Sequence, residues 1–176
     1  TLLLDLLERN EAVAAAMGLH ATFSPLCAPD IVGNGVHIHR SLWDGDRPVT
    51  HDPQGQDGLS APASAFIAGV LAHLNAVSAF TAPSAISCLR LVPHRWSAAF
   101  NNLGRQDREA GIRICPVTAT DPTDRARQSN VEFRAADAAA SPHLALAAVV
   151  AAGTLGMEAG LKAAPSTAED RSLRSS

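Results

Sequence analysis

At 176 residues the chain is long enough for one domain with its own core. Its hydrophobic content of 47% fits a globular fold, yet aromatics are only 4% and much of the rest is Ala, so that core must be thin. A net charge of −3 removes the electrostatic case for a nucleic-acid partner or an anionic membrane surface. Lys162 is the single lysine among 14 basic residues. Compositional bias explains such a skew, but guanidinium is also the group that grips carboxylates and phosphates through a planar fork. Cys27, Cys88 and Cys115 are odd in number, with no Cys-x-x-Cys spacing. They read as reduced thiols of a cytoplasmic protein, not as a disulfide frame or a zinc site. The opening residues "TLLLDLLERNE" are acidic and helical rather than leader-like, and the missing initial Met suggests a fragment.

In chain order, Leu3, Leu6, Leu7 and Val13 predict a helix over 2–17, stopped by Gly18. "HATFSPL" reads as a short strand ending at Pro25, followed by a loop over 26–35. "GNGVHIHRS" then predicts a turn and a strand with His37, His39 and Ser41 on one face and Val36 and Ile38 on the other. Taken alone, His-x-His on a strand reads either as a metal or phosphate site or as two solvated imidazoles. A polar loop covers 44–58, and Ser60 with Pro62 begins a helix running to about Phe80. Residues 81–116 look irregular, with one strand near 110–115, and a polar loop spans 118–129. "NVEFRAAD" alternates as a strand with one apolar and one charged face. Ser141-Pro142 starts a long helix to about Lys162. Its uncharged stretch from Ala138 to Met157 is Ala-rich and contains Pro142 and His143, which speaks for a buried helix and against a membrane span. Residues 1–164 make one domain or part of one, and 165–176 a disordered or truncated tail.

His37 and His39 on one strand and Glu132 and Arg134 on another could converge on a divalent cation such as Mg²⁺ or Mn²⁺. Arg90, Arg108, Arg113 and Arg134 could then hold a carboxylate and a polyphosphate, the charge neutralisation that phosphoryl transfer needs. Each arginine taken singly reads equally as a surface ion-pair partner.

The ordered series "GNGVHIHRSLWDG", "GLSAPASAFIAGVLAHLNAVSAFTAPS", "RLVP", "DREAGIRI" and "VEFRAADAAASPHLALAAVVAAGTLGM" resembles the catalytic domain of glutamine synthetases over roughly Gly18 to Leu161. The resemblance implies an α+β fold, an antiparallel sheet flanked by helices, assembled into ring-shaped homo-oligomers. It implies that ATP phosphorylates the side-chain carboxylate of glutamate and that ammonia or an amine displaces phosphate to form an amide. His37 and Glu132 match metal ligands for Mg²⁺ or Mn²⁺, while His39 and Ser41 match positions on the nucleotide side. Arg90 and Arg134 match residues that hold glutamate. Arg108 and Arg113 match catalytic arginines directed at the ATP phosphates and the phosphorylated intermediate, and Gly33 falls in the turn beside the amino-acid substrate.

Three departures from the family pattern matter. In "RLVPHRWSAAF", His94 replaces a Gly and Trp96 stands where glutamine-forming members carry a Glu, which favours γ-glutamyl ligases that use larger amines. Asn130 occupies a position two residues before Glu132 where the family often has Arg. The paired Glu ligands of the family's early catalytic domain are absent from this chain, so the chain alone is expected not to turn over. The alternative is a catalytically silent relative kept as a structural or regulatory protein. A guanidino kinase is the third reading, against which "VEFR" and "RLVP" speak.

Overall fold

The computed structural model describes residues 2–168. Helix α1 spans Leu2–Ala16 and buries none of its residues. It ends as expected at Gly18, whose φ of +72° lets the Leu19 N–H reach back 2.8 Å to the Ala14 carbonyl. Residues 20–26 are not a strand. Within the segment the Ser24 N–H turns to the Thr22 hydroxyl at 3.2 Å and the Ser24 hydroxyl to the Leu26 carbonyl at 3.0 Å, local bonds that compete with a ladder.

Strand β1 (Gly35–Arg40) leads to a hairpin of β2 (Trp43–Asp44) and β3 (Arg47–Pro48). Helix α2 (Ala61–Ala72) is capped by the Ser60 hydroxyl, which accepts from the Ala63 N–H. The single helix expected to reach Phe80 is two, because the chain bends by 75° at His73 before α3 (Leu74–Thr81). An unbroken apolar run carries no sign of a change in direction. α4 (Ala85–Arg90) opens on a capping box of Ser84 and Ser87, and β4 (Phe100–Gly104) follows, both within the stretch expected to be irregular. After β5 (Ala110–Ile114), α5 (Pro122–Gln128) replaces the expected loop, its Asp121-Pro122 start being an N-cap and first-turn proline. β6 (Val131–Asp137) and α6 (Pro142–Glu158) complete the described elements.

The four-stranded sheet runs β1-β6-β5-β4. β6 is antiparallel to both neighbours, and only the β4–β5 pair is parallel. Register sets which side chains meet across the sheet. Phe133 lies between Ile38 and Ile112, and Glu132 lies between His39 and Arg113. Because side chains alternate, the first trio faces the core and the second faces away from it. All seven residues of β6 are buried, so the face expected to be charged is also enclosed.

The core packs between the apolar face of the sheet and helices α2 and α6, around Phe66, Ile67, Val70, Phe133 and Val149. Its thinness is met by close approach of backbone to backbone. A Cβ on Gly156 would lie 2.3 Å from the Ala65 carbonyl oxygen, so α6 rests directly on the α2 main chain. No single helix among the described residues is long and apolar enough to cross a membrane.

The tail expected to be disordered is docked as far as it is described. Thr167 donates to the Leu103 carbonyl at 2.9 Å and accepts from the Arg105 N–H at 3.0 Å, extending the sheet beside β4. Residues 169–176 lie outside the described residues.

Candidate active site

Glu132 is 1% exposed, and its two oxygens face different partners. Oε1 accepts a hydrogen bond from Arg134 Nη1 and lies 2.6 Å from Arg113 Nε. Oε2 faces the histidines, 3.2 Å from His39 Nε2 and 3.6 Å from His37 Nδ1. The cross-strand register supplies His39 and Arg113 directly, and strand alternation supplies Arg134. His37 joins through an irregularity: a step of two positions in β1, Val36 to Ile38, is matched by a step of three in β6, Ala136 to Phe133. Such a bulge re-aims side chains and places Arg134 Nη1 3.5 Å from His37 Nδ1.

Burial alone would push the Glu132 carboxyl up. The hydrogen bond and charge of Arg134, with Arg113 and His37 adding to them, outweigh that and hold it below the ordinary value. Burial, and after it the charge of Arg134, pulls His37 below the ordinary imidazole value, against the opposing pull of Glu132. At neutral pH the pair is therefore a carboxylate and a neutral imidazole, the protonation states that a metal ligand requires. One carboxylate oxygen without an arginine and one neutral imidazole fit two positions around a hard cation such as Mg²⁺ or Mn²⁺.

Arg134 is 4% exposed and its remaining donors are held by main chain, Nε by the Arg108 carbonyl at 3.1 Å and Nη2 by the Trp96 carbonyl at 3.5 Å. The loop bearing that carbonyl is bent, with His94 and Trp96 at φ of 66° and 54°. It is tied down where Glu109 Oε1 accepts from the His94 N–H. The Trp96 ring is 62% exposed above this anchored backbone.

Other expected site residues are placed differently. Arg90 is not brought to Glu132. It is 3% exposed, donates through Nη2 to the Ala135 and Ala136 carbonyls at 3.3 and 3.0 Å, and lies 3.8 Å from Asp137. Its stem fills the space where Gly33 would carry a side chain, 2.4 Å from a Cβ placed there. Gly33 is thus required by Arg90, and the two hold the end of β6 to the turn before β1. The Arg108 side chain is exposed. Ser41 lies just past the end of β1, and its hydroxyl accepts from Trp43 Nε1 at 2.8 Å. The histidines, read from sequence as serving adjacent parts of a site rather than one ion, both lie against the same oxygen of Glu132.

Two further participants meet His39: Asn130, noted in the sequence only as standing where the family often has Arg, and Cys115, read there only as a reduced thiol. Asn130 Oδ1 lies 2.9 Å from His39 Nδ1, and Cys115 Sγ lies 3.4 Å from the same nitrogen. Burial, then the charge of Glu132, raises the Cys115 thiol to about 11. Both residues line a cavity of about 530 Å³ that also takes in Thr50, Asp57, Arg105 and Arg125. The only sequence signal for Cys115 was its place at the end of the strand expected near 110–115.

The family profile described as "Glutamine synthetase, catalytic domain" matches residues 8–175. Among curated relatives, the γ-glutamylpolyamine synthetase GlnA3 of Streptomyces coelicolor is 44% identical over 146 residues, covering 83% of this chain and 31% of that protein. A glutamine synthetase of the same organism is 39% identical over 146 residues, covering 83% and 30%. A crystal structure described as a novel glutamine synthase homolog superposes with a TM-score of 0.82 at 48% identity, covering 92% of this chain and 38% of that one. The chain therefore spans less than a third of the length of these two curated relatives. Since the profile runs through every strand of the Glu132 cluster, the chain belongs to the glutamine synthetase family, as part of its catalytic domain.

Proposed function

We propose that this chain supplies part of the active site of an ATP-dependent ligase. In this reading ATP phosphorylates the side-chain carboxylate of glutamate, and an amine displaces phosphate from the acyl phosphate to leave an amide. The observation that carries the reading is the division of Glu132, with two guanidiniums on Oε1 and two imidazoles on Oε2. A carboxylate split in this way offers one oxygen to a cation while its arginines keep it ionised inside the protein.

Mg²⁺ or Mn²⁺, held by Glu132 and His37, would supply neutralisation of polyphosphate charge. Arg113, partly exposed on Glu132 Oε1, and the exposed Arg108 would meet anionic oxygens of ATP and of the intermediate; their exposed or partly exposed guanidiniums support that reading. Arg134, fixed by four partners, presents a rigid guanidinium edge and orients rather than moves. The cavity beside Asn130 and Cys115 suits the nucleotide, and His39 stands at its edge of the cluster. Glutamate contact by Arg90 would require it to release backbone carbonyls, so its role here is to hold Gly33. Three free thiols support a reducing, cytoplasmic setting, and the exposed leucines of α1 support a homo-oligomeric whole protein.

Trp96 in place of a flap carboxylate, with the 44% identity to a γ-glutamylpolyamine synthetase, supports an amine larger than ammonia. The test is phosphate release from ATP by the product of the full reading frame, with glutamate and either ammonium, putrescine, spermidine or ethanolamine. Glutamate-dependent release that is fastest with a polyamine is expected. Preference for ammonium would overturn the amine assignment. No glutamate-dependent release with any acceptor would overturn the ligase and favour a silent structural relative.

A further inference from the structure

We propose that His39, Cys115 and Glu132 form a site for a thiophilic divalent cation, Zn²⁺ by its donor chemistry. One ligand atom from each residue lies within 4.8 Å of the others. Bond lengths of about 2.3 Å for Zn–S and about 2.0 Å for Zn–N imply a sulfur–nitrogen edge of about 3.5 Å in a tetrahedral site. Cys115 Sγ stands 3.4 Å from His39 Nδ1, and Glu132 Oε2 stands 3.2 Å from His39 Nε2. These edges use different ring nitrogens, so one ion takes one of them after a rotation of the imidazole. At 55% side-chain exposure that ring has room to turn.

Three further observations separate this cluster from an ordinary buried cysteine, which behaves as a small hydrophobe. Cys115 is absent from the apolar cluster that fills the core, and its sulfur is directed at a polar group instead. Oε2 of Glu132 carries no arginine, since both guanidiniums lie on Oε1. Asn130 Oδ1, 2.9 Å from His39 Nδ1, is a polar outer-shell partner beside the ring that can accept from whichever N–H the ion leaves free.

Thiolate, imidazole and carboxylate together select Zn²⁺-class ions over Mg²⁺, which takes oxygen ligands. On binding, the thiol proton leaves to solvent as the metal–sulfur bond forms, and the other two ligands donate lone pairs. Cys115 lines the open cavity, so the fourth position is reachable by water or by a ligand. Occupancy would take the free oxygen of Glu132 and exclude the hard cation assigned there. That exclusion rests on the proposed function, whereas the site itself does not.

The test is a titration of the chain with Co²⁺ as a coloured stand-in, followed by displacement with Zn²⁺. A thiolate-to-cobalt charge-transfer band is expected at one equivalent, abolished in Cys115→Ser, retained in Cys27→Ser and Cys88→Ser, and unaffected by excess Mg²⁺. His39→Ala should weaken Co²⁺ affinity by on the order of tenfold or more. Absence of the band, or its survival in Cys115→Ser, overturns the site. Should Cys115→Ser fail to fold by circular dichroism, alkylation of the unaltered chain decides: Zn²⁺ but not Mg²⁺ should protect Cys115, and equal labelling with and without Zn²⁺ overturns the site. Bound Mn²⁺, followed by its paramagnetic resonance, should be released by Zn²⁺. A cobalt–thiolate band in a chain whose Mn²⁺ is not displaced supports the site and overturns the exclusion.

Discussion

Glu132 and Arg134 stand two residues apart on β6, face the same way, and meet through a hydrogen bond from Arg134 Nη1 to Glu132 Oε1. Both are almost fully enclosed, at 1% and 4% exposure. A buried carboxylate with guanidiniums on one oxygen is costly to dismantle from either side, because the survivor keeps its charge without a counter-ion.

Glu132→Gln should therefore lower stability by about 3 kcal/mol, the lower end of the range for breaking a buried pair, since Arg113 is partly exposed and Arg134 keeps two carbonyl acceptors. Urea denaturation of the two proteins reads this directly. A loss below about 1 kcal/mol would place the pair among surface-like bridges.

Gly156→Ala tests the backbone contact of α2 and α6. The new methyl would meet the Ala65 carbonyl at 2.3 Å, and main chain cannot step aside as a side-chain tip can. The expected cost is about 2–3 kcal/mol, seen as a lower thermal midpoint. An unchanged midpoint would show that the helices are not seated this closely.

Arg40→Met should stabilise the fold. The three guanidinium nitrogens of Arg40 are buried without a hydrogen-bond partner, and burial lowers its pKa to about 10. Its guanidinium lies 5.2 Å from the Phe66 ring centroid and 5.9 Å from that of Phe133, which offsets only part of the desolvation. A gain of about 1 kcal/mol is expected at pH 7. With the folded pKa below the unfolded one, folding opposes the charge, so the gain should shrink as pH rises above about 10. A lower midpoint for Arg40→Met at pH 7 would show that the aromatic faces hold the cation favourably.

Ser166→Ala tests the docked tail. Burial pushes Asp57 up, but the hydroxyl and N–H of Ser166, together with Arg105, outweigh it and hold the carboxyl below 3.8. Because the folded value is the lower one, this stabilisation is present above the unfolded value and lost as pH falls through the folded one. Ser166→Ala should raise the Asp57 pKa by carbon-13 titration and cost about 1 kcal/mol. It should also speed hydrogen exchange at the Thr167 N–H, now held by Leu103 at 2.9 Å. Equal exchange in both proteins would separate the tail from Asp57.

Trp96→Glu concerns specificity in the product of the full reading frame. The Arg134-bound carbonyl of Trp96 stays in place while its exposed ring becomes a carboxylate. Acceptance of ammonium relative to polyamine should rise by about tenfold in kcat/KM. An unchanged ratio would remove the ring from amine selection.

Much of the candidate site could be read from local pattern. Period-two alternation puts Glu132 and Arg134 on one face of a strand, and His37 and His39 on one face of another, because a pleated chain leaves no other choice. The resemblance of the motifs to glutamine synthetases then joined those faces. Short elements escaped: α4, α5 and β4 are five to seven residues each and carry too few turns for a period to show. The break at His73 escaped because both helices are apolar.

Residue order along the chain thus determines which side chains share a strand face. It does not determine which oxygen of Glu132 each partner takes, nor that Cys115 reaches His39 across 76 positions. Register and the β1–β6 irregularity settle those contacts, and register is a property of strands paired across long separations rather than of any one segment. The same holds for Arg90, which the resemblance of "RLVP" marks as a substrate arginine and which, as the last residue of α4, lies buried against the end of β6.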